Sequence, residues 1–305
     1  MSYDVVIVGG GPAGLSAALA LGRARKRVLV CDGGPRRNAA AVHLHNFVSR
    51  DGIAPQAFRD VSREQLTVYP NVAFADAAVD SIGGVRGAFE VELGTRTVSA
   101  RRILLATGMI DEMLPIPGFS ELWGQSIFQC PYCHGWEIQD RAWAYLARPS
   151  HVGHFALFAQ QLRAWTRDLV VLTSAAFDVP EDAREALTRA GVRIETAEVA
   201  RLVKRGDRLD AIEFRGGRLL RCEALFCHPP QRQIDLVAML ALKLDDDGFV
   251  AVDPMKRETS LPGIYAAGDL TTRMQGALLA AASGTQAAVM VNLDVTTELV
   301  AEGLA

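Results

Sequence analysis

The chain has 305 residues, half of them apolar, with a formal charge of −3 at pH 7 and a pI near 6.1. This length suffices for two modest domains, and the near-neutral charge argues against a polyanionic partner such as a nucleic acid. The sequence opens directly on a strand pattern, without the basic region or cleavage site of a secretory signal. It contains no apolar run of bilayer length that is free of glycine or polar residues, so we expect no membrane association. Five cysteines in such a chain indicate a reducing, cytoplasmic setting.

The first motif is a strand, a glycine turn, a helix and a second strand. A β-branched run at residues 3–8 leads into Gly9, Gly11 and Gly14, which match the dinucleotide fingerprint. In that fingerprint the first glycine makes the turn, the second admits the pyrophosphate, and the third lets helix and strand pack closely. The second strand ends at Asp32, whose carboxylate is placed to accept ribose hydroxyls. We therefore predict a bound dinucleotide, with its phosphates at the helix N-terminus.

A loop rich in small and basic residues, 33–46, comes next and contains His43 and His45. It is typical of a loop that wraps a ligand, although either histidine could equally be a solvated loop residue. The elements predicted after it are a helix at 54–66, a meander of short strands at 72–98, a buried strand at 102–108 and a domain boundary at 115–118.

The stretch Cys-Pro-Tyr-Cys-His-Gly-Trp-Glu occupies residues 130–137. The spacing of Cys130 and Cys133 lets their sulfurs join and part as a disulfide. Pro131 suits the first position of a helix, which would place Cys130 where the helix dipole favours a thiolate. His134 follows at once; we expect it to titrate near neutral pH and to carry the proton that each thiol loses or regains.

A zinc site and an inert structural disulfide are the alternatives for this cysteine pair. Zinc would need two more ligands, and the remaining cysteines, Cys31, Cys222 and Cys227, do not form a suitable second pair. A structural disulfide is unexpected in a chain without a secretory signal. We therefore predict redox catalysis and no metal, provided that the chain also holds an electron carrier.

A second strand–helix–strand pattern, at 142–146, 155–164 and 169–173, repeats the opening order and predicts another nucleotide-type fold. Its turn, residues 147–152, has no glycine at any of the three critical positions. Side chains and a proline would stand where a pyrophosphate must touch the backbone. The second strand also leads to no basic cluster. We therefore predict that this fold is a degenerate nucleotide-binding fold.

Near the end of the chain a short strand stops at Gly268 and Asp269, and a small-residue helix begins around Gln275 and runs to residue 291. This arrangement can place a carboxylate and backbone amides on a ribityl or phosphate group. An ordinary strand–helix joint is the alternative.

The glycine turn, Ala-Thr-Gly at 106–108, the cysteine pair and Ala-Ala-Gly-Asp at 266–269 occur in the order found in low-molecular-weight thioredoxin reductases, which the sequence resembles over nearly its whole length. The resemblance implies an α/β, two-domain, homodimeric protein with FAD as its cofactor. The FAD-binding Rossmann-type domain would comprise residues 1–112 and 246–305, and residues 113–245 would form an inserted, degenerate NADPH-type domain with the redox cysteines. The residues expected to hold FAD are Gly9, Gly11, Pro12, Ala13, Gly14, Asp32, Gly33, Asn38, Asn46, Ala106, Thr107, Gly108, Gly268, Asp269, Gln275, Gly276 and Ala277.

The sequence departs from the reductases in two respects. The NADPH turn and its arginine cluster are missing, and His134 replaces the acidic residue that usually follows the second cysteine. The sequence of residues 130–137 is similar instead to a branch of dithiol oxidases that close disulfides in gliotoxin, holomycin and the depsipeptide FK228. The bacterial members are the most similar in appearance, with the FK228 enzyme first among them.

The resemblance implies that electrons pass from a small-molecule dithiol to the protein. A substrate thiolate would attack Cys130, Cys133 would leave as a thiolate, and the second substrate thiol would release the cyclic product. Cys133 would lie against the flavin, and His134 would deprotonate the incoming thiols. Reaction of reduced FAD with O2 would then give hydrogen peroxide. Candidates for the substrate entrance are Tyr132, Trp136, His43 and His45.

Two other functions stay open at this point. The protein could be a thioredoxin reductase-like disulfide reductase, supplied by NADPH or by another electron donor. It could also be a flavin-bound redox sensor without catalytic activity, whose cysteines only change the shape of the protein.

Overall fold

A computed structural model describes residues 2–304 of the chain. These residues divide into two compact units. The first unit comprises the chain up to Ala39, Phe47–Asp111 and the chain from Gln231 onward. The second comprises Ala40–Asn46 and Glu112–Pro230. Both units contain a sheet with adjacent parallel strands together with helices, which confirms the predicted α/β fold.

The strands of the first unit are β1 (Ser2–Val8), β2 (Val28–Cys31), β3 (Val72–Ala75), β4 (Ser81–Val85), β5 (Ala88–Leu93), β6 (Arg96–Leu105), β7 (Ile110–Asp111), β16 (Gln231–Arg232) and β17 (Ile264–Ala266). Its helices are α1 (Pro12–Arg23), α2 (Pro55–Leu66), α7 (Asp235–Met239) and α8 (Ala277–Ala301).

The second unit contains the strands β8 (Ile127–Phe128), β9 (Trp143–Leu146), β10 (Leu169–Leu172), β11 (Arg193–Glu195), β12 (Val199–Arg205), β13 (Arg208–Phe214), β14 (Leu219–Arg221) and β15 (Ala224–Cys227). Its helices are α3 (Phe119–Leu122), α4 (Pro131–His134), α5 (Phe155–Leu162) and α6 (Glu181–Arg189).

A seven-stranded sheet forms the centre of the first unit, in the order β3-β2-β1-β6-β5-β4, with β17 also paired to β6. Strand β1 is parallel to both neighbours, so that Val6 lies opposite Leu29 on one side and Ile103 on the other. Both faces of β1 are buried, which explains why its sequence is a continuous β-branched run rather than an alternating one. Strands β4, β5 and β6 form an antiparallel meander, as predicted for the later part of residues 72–98. The first part of that range was wrongly included, because β3 pairs in parallel with β2 and not with β4.

Helix α8 packs against α1 through small residues. A Cβ atom added to Gly284 would lie 2.1 Å from the carbonyl oxygen of Ala13, so only glycine permits this approach of the two helices. Further along α8, Asp294 and Glu298 accept hydrogen bonds from the fully buried guanidinium of Arg102, which lies on β6. The helix ends ten residues later than the sequence predicts, and these ion pairs stabilise its C-terminal half.

By length and composition alone, α8 is also long and apolar enough to cross a membrane. One third of its most apolar 18-residue window is buried inside the fold. Core helices of soluble proteins can have the same length and apolar composition, so this feature alone is weak evidence for a membrane span.

The second unit is built on a five-stranded parallel sheet in the order β11-β10-β9-β15-β8 and a three-stranded antiparallel sheet, β12-β13-β14. The predicted strand–helix–strand repeat is present as β9, α5 and β10. Its core contains the fully buried rings of Trp143, Tyr145, Phe155 and Phe226.

The chain leaves the second unit after Pro230, whereas the sequence placed this boundary at residue 245. The reason is the apolar face of α7. Leu236 and Val237, with Leu242 beyond the helix, are buried in the same core cluster as Val6 and Ile103 of the first unit.

Candidate functional site

The cysteine pair lies at the start of α4, a single helical turn. Cys130 has extended backbone and immediately precedes Pro131, the first residue of the helix, as predicted. Cys130 and Cys133 form a disulfide with their Cα atoms 5.3 Å apart, and the N–H of Cys133 donates to the carbonyl oxygen of Cys130 at 3.2 Å. Both cysteines are partly exposed, so the disulfide is open to attack by a small thiol.

Two aromatic residues and one glycine shape the rest of this turn. The rings of Tyr132 and Trp165 meet edge to face with their centroids 5.2 Å apart, and the Tyr132 hydroxyl accepts a hydrogen bond from Gln161 at 2.9 Å. A Cβ atom on Gly135 would lie 2.5 Å from the carbonyl oxygen of Pro131 and 2.9 Å from the Trp165 indole. Glycine is therefore needed where the chain leaves the turn.

His134 stacks on Phe128, with ring centroids 4.3 Å apart and an angle of 20° between the planes. Its Nδ1 atom is buried and makes no hydrogen bond within residues 2–304. Burial lowers the pKa of His134 to about 4. The nearby Glu137 raises this pKa and His45 lowers it, but both effects are smaller than that of burial. The expectation that His134 titrates near neutral pH is therefore wrong for the disulfide form. At pH 7 this imidazole is neutral and can accept a proton.

Residues 40–46 of the loop after β2 belong to the second unit and lie beside the redox turn. The Asn46 side-chain amide donates to the carbonyl oxygen of Tyr132. Nε2 of His45 lies 3.4 Å from a carboxylate oxygen of Glu137, and the rings of His43 and His45 meet edge to face at 6.0 Å. This loop therefore brings a histidine and an amide to the cysteine pair, and it forms an imidazole–carboxylate pair at the end of the motif.

The first glycine turn has the geometry that a bound pyrophosphate requires. Gly9 has a φ of +113°, and a Cβ atom there would lie 2.3 Å from the carbonyl oxygen of Ala106. A Cβ atom on Gly14 would lie 1.9 Å from the carbonyl oxygen of Gly9. At Gly11, by contrast, no atom lies within 4 Å of the position that a Cβ atom would take. Helix α1 begins directly after Gly11, so its free N–H groups point to that space. The turn therefore fits the diphosphate of FAD.

Two acidic residues predicted to contact FAD already have cationic partners in the first unit. Asp32, at the end of β2, forms an ion pair with Arg59. Asp269 accepts a hydrogen bond from Arg37 at 2.7 Å, and the same guanidinium binds Asp111 at 2.7 Å. Burial raises the pKa of Asp269, although Arg37 and the backbone N–H of Gly276 oppose the shift. Both carboxylates are thus held in place by arginines.

Thr107 supplies a further observation that fits a bound cofactor. Its Oγ1 atom is buried and has no hydrogen-bond partner in the described part of the chain. Gln275 hydrogen bonds Gln231 at 2.9 Å, just before α8 begins. The predicted cofactor residues lie in the first unit, apart from Asn46, which lies in the second. Those of the first unit are Gly9, Gly11, Pro12, Ala13, Gly14, Asp32, Gly33, Asn38, Ala106, Thr107, Gly108, Gly268, Asp269, Gln275, Gly276 and Ala277.

The second turn differs from the first in its backbone. Strand β9 ends at Leu146, and α5 begins only at Phe155, with a 3-10 turn at Pro149–His151 in between. After the sheet, His228 packs edge to face against Phe158 at 4.7 Å and against His151 at 5.6 Å. Side-chain rings therefore occupy the carboxyl edge of this sheet, where a dinucleotide fold offers backbone amides.

The other three cysteines, Cys31, Cys222 and Cys227, are buried and unpaired, and burial raises the pKa of each to about 12. They are unsuited to thiolate chemistry at neutral pH. No group of three or more His, Cys, Asp or Glu side chains among residues 2–304 could hold a metal ion.

Sequence patterns did not indicate three residues of these sites. Phe128 lies on a two-residue strand, which is too short for a periodic pattern. Arg37 bridges Asp111 and Asp269, which are 74 and 232 positions away. Glu137 belongs to the cysteine motif, but its sequence position gives no sign of its neighbour His45, which lies 92 positions earlier in the chain.

The chain matches a known protein family over most of its length. Residues 3–284 match the family described as "Pyridine nucleotide-disulphide oxidoreductase". The sequence is 32% identical to thioredoxin reductase tcpT of Claviceps purpurea, covering 97% of this chain and 95% of that protein.

Two solved structures share the fold closely. An oxidoreductase from Agrobacterium tumefaciens is 34% identical, with a TM-score of 0.89 and coverage of 97% of this chain and 99% of that one. The structure of HlmI is 34% identical, with a TM-score of 0.91 and coverage of 99% and 95%. The chain therefore belongs to the pyridine nucleotide-disulphide oxidoreductase family, as a thioredoxin reductase-like flavoprotein that binds FAD.

Proposed function

We propose that this protein is an FAD-dependent dithiol oxidase, which closes a disulfide in a small natural product and passes the electrons to O2, giving hydrogen peroxide. The observation that carries the proposal is the contrast between its two nucleotide turns. Close backbone contacts exclude any side chain at Gly9 and Gly14 of the first turn, whereas the second turn contains Arg148 and the ring of Pro149. Because the second turn does not fit the diphosphate of NADPH, we infer that the thiol substrate, rather than NADPH, supplies the electrons.

The backbone of the second turn supports this argument. Pro149 lacks an N–H group, and the turn it begins is a 3-10 turn rather than the start of α5. The nearest long helix therefore starts nine residues after the end of β9 instead of four after the end of β1. The N–H groups at the start of α1, which would hold the pyrophosphate in the first unit, have no counterpart at this position.

The redox turn has the groups that thiol–disulfide exchange requires. A substrate thiol gives its proton to neutral His134, and the thiolate attacks the sulfur of Cys130 while Cys133 leaves as a thiolate. The second substrate thiol then attacks the substrate sulfur of the mixed disulfide, which releases the cyclic disulfide and Cys130 as a thiol. The substrate loses two electrons and two protons, and the cysteine pair is left as the Cys130 thiol and the Cys133 thiolate, with the other proton on His134.

FAD, held by the glycine turn and by the residues around Asp269, supplies the two-electron acceptor for this dithiol and the route to O2. The protein residues position the sulfurs and accept the protons. Asn46 and Gln161 hold the backbone and the ring of Tyr132 in place between the two cysteines.

The substrate class follows from the similarity of residues 130–137 to dithiol oxidases of the FK228, holomycin and gliotoxin type. The exposed rings of Tyr132 and Trp136, 61% and 73% accessible, give such a substrate an apolar surface beside the disulfide. We further propose a cytoplasmic homodimer, as the family resemblance implies.

A disulfide reductase is the second candidate, favoured by the name of tcpT as a thioredoxin reductase. The two functions differ in which compound reduces the flavin. The purified yellow protein should be titrated without oxygen, first with NADPH and then with small dithiols such as dithiothreitol, while the visible flavin band is followed. Bleaching by the dithiol but not by NADPH supports the oxidase, and bleaching by NADPH alone supports the reductase.

The aerobic form of this experiment tests the acceptor. Oxygen uptake with the dithiol and no pyridine nucleotide should yield hydrogen peroxide in amounts equal to the disulfide formed. Cys130→Ser and Cys133→Ser are the controls, since each should keep FAD but lose turnover. Turnover that survives both substitutions would contradict the proposed route through the cysteine pair.

A further inference from the structure

The aromatic ring beneath His134 belongs to β8 and is fixed by the core of the second unit. Phe128 is 6% exposed, and its strand pairs in parallel with β15, so that Phe128 lies opposite Phe226. Phe226 is fully buried, and its ring lies 6.1 Å from that of Phe128 and 4.7 Å from that of Trp143. The ring that contacts His134 is therefore the outermost member of a packed aromatic series.

The stack is close to parallel, since the planes of Phe128 and His134 differ by only 20° at a centroid separation of 4.3 Å. One face of the imidazole is thereby covered, and Nδ1 is buried with no hydrogen-bond partner among the described residues. In most buried histidines, a hydrogen bond from one nitrogen fixes the tautomer and the ring orientation. For His134, the stacking contact with Phe128 takes the place of such a hydrogen bond to Nδ1 and fixes the orientation of the imidazole ring.

Within residues 2–304, two titratable side chains act electrostatically on His134. The following loop supplies Glu137, and residues 40–46 supply His45. Cys133 on α4 and Cys130, which directly precedes α4, form a disulfide and do not titrate. A phenyl face attracts an imidazolium, and Glu137 does the same, yet burial outweighs both and lowers the pKa of His134. Burial of the imidazole is therefore the main reason why His134 is neutral at pH 7.

We propose that Phe128 is a positioning residue for thiol oxidation, whose ring excludes water from one face of His134 and fixes the imidazole in the orientation in which it accepts the substrate's proton. The effect of Phe128 on the rate rests on the proposed dithiol oxidation. Its effect on the hydration and orientation of His134 does not depend on that function. The proton passes from the substrate S–H to a nitrogen of the neutral imidazole, and the thiolate then forms a bond to the sulfur of Cys130 as the Cys130–Cys133 bond breaks. Phe128 acts only through His134 in this step.

The test compares Phe128→Leu with Phe226→Leu. Both substitutions remove a buried ring from the same cluster, but only the first removes the ring stacked on His134. His134 titration is followed in the oxidised protein by NMR of the histidine ring, assigned with His134→Phe. The rate of flavin bleaching by dithiothreitol is measured over the same pH range. If Phe128→Leu does not fold, Phe128→Met takes its place.

We expect Phe128→Leu to raise the pH at which His134 titrates by about one unit or more, because water reaches the uncovered face. Bleaching at pH 7 should slow by about 10-fold, since the base is no longer held in one orientation. Phe226→Leu should lower the melting temperature without moving the titration. Phe128→Tyr keeps the ring and should keep both the titration and the rate.

An unchanged titration in Phe128→Leu overturns the inference, whether or not the dithiol is oxidised. Equal shifts in Phe128→Leu and Phe226→Leu overturn it as well, because the effect would then be general loosening of the core. A shifted titration in a protein that no dithiol bleaches supports the positioning of His134 and refutes dithiol oxidation as the function. The two claims are thus separable.

Discussion

The side-chain amide of Asn46 donates a hydrogen bond to the carbonyl oxygen of Tyr132, between the two cysteines of the redox pair. Asn46 lies in the left-handed region, with a φ of +62°, which asparagine tolerates better than most residues. The same loop starts with Ala40, whose carbonyl oxygen accepts a hydrogen bond from Gln125 at 2.9 Å. Residues 40–46 are thus held at both ends on the second unit.

Asn46→Gly should free this loop from the redox turn, since glycine keeps the left-handed backbone and removes only the amide. The lost hydrogen bond should cost about 1 kcal/mol of local protection. Hydrogen exchange measured by mass spectrometry should show faster exchange for peptides that cover residues 40–46 and 130–134. Gln125→Ala is the control, and it should loosen the start of the loop only. Unchanged exchange around Tyr132 in Asn46→Gly would show that the amide does not hold the turn.

The low pKa of His134 predicts a pH dependence of stability. Burial lowers this pKa from 6.5 to about 4, so the unfolded chain holds the proton more tightly between these values. The contribution of His134 is therefore complete above pH about 6.5 and is lost as the pH falls towards 4. His134→Phe keeps a ring on Phe128 but removes the titration. Its melting temperature should fall less than that of the parent protein between pH 6.5 and 4, and parallel curves would refute the buried neutral state.

Arg37 should be needed for FAD binding, because it balances the partly buried charges of Asp111 and Asp269. Arg37→Gln leaves those two carboxylates without their common partner, which should cost about 2 kcal/mol and reduce the bound FAD. The ratio of flavin to protein absorbance after purification and the melting temperature provide the measurements. Arg273→Gln is the control, since its ion pair with Asp247 is half exposed and should be worth less than about 1 kcal/mol. Equal effects in the two variants would contradict this role of Arg37.

Elements with a continuous apolar sequence were predictable because both of their faces are buried. Strands β1 and β9 have this pattern, and each was expected within a residue of its observed position. The first glycine turn was predictable for a similar reason, since contacts of 2.3 Å and 1.9 Å exclude any side chain at Gly9 and Gly14. Such local constraints leave a direct mark in the sequence.

Features that depend on tertiary packing could not be predicted from the local sequence. The protonation of His134 depends on its burial and on its stacking with Phe128, so the pKa of a solvent-exposed histidine does not apply to it. The end of α8 was placed ten residues early, since its last turns have a mixed polar pattern and are held by the ion pairs of Arg102. The assignment of residues 40–46 to the second unit depends on contacts with residues 124–137, about 80 positions away.

Gly135 offers a direct test of how tightly the redox turn is packed. Its backbone lies in the right-handed helical region, at φ −65° and ψ −30°, so alanine can adopt the conformation without strain. The obstacle is steric, because the new Cβ atom would lie 2.5 Å from the Pro131 oxygen and 2.9 Å from the Trp165 ring. Gly135→Ala should therefore shift the turn, at a cost of about 1–3 kcal/mol.

The expected result of Gly135→Ala is a lower melting temperature and a slower reduction of the Cys130–Cys133 disulfide by dithiothreitol. Gly153→Ala is the matched control, since nothing lies within 4 Å of a Cβ atom there, and it should behave like the parent protein. Adding Trp165→Ala to Gly135→Ala should restore part of the rate, because the close contacts with Cδ1 and Nε1 of the indole are then gone and only that with the Pro131 oxygen is left. If Gly135→Ala matches Gly153→Ala in both measurements, the turn is free to move and the close contact with Trp165 does not set its geometry.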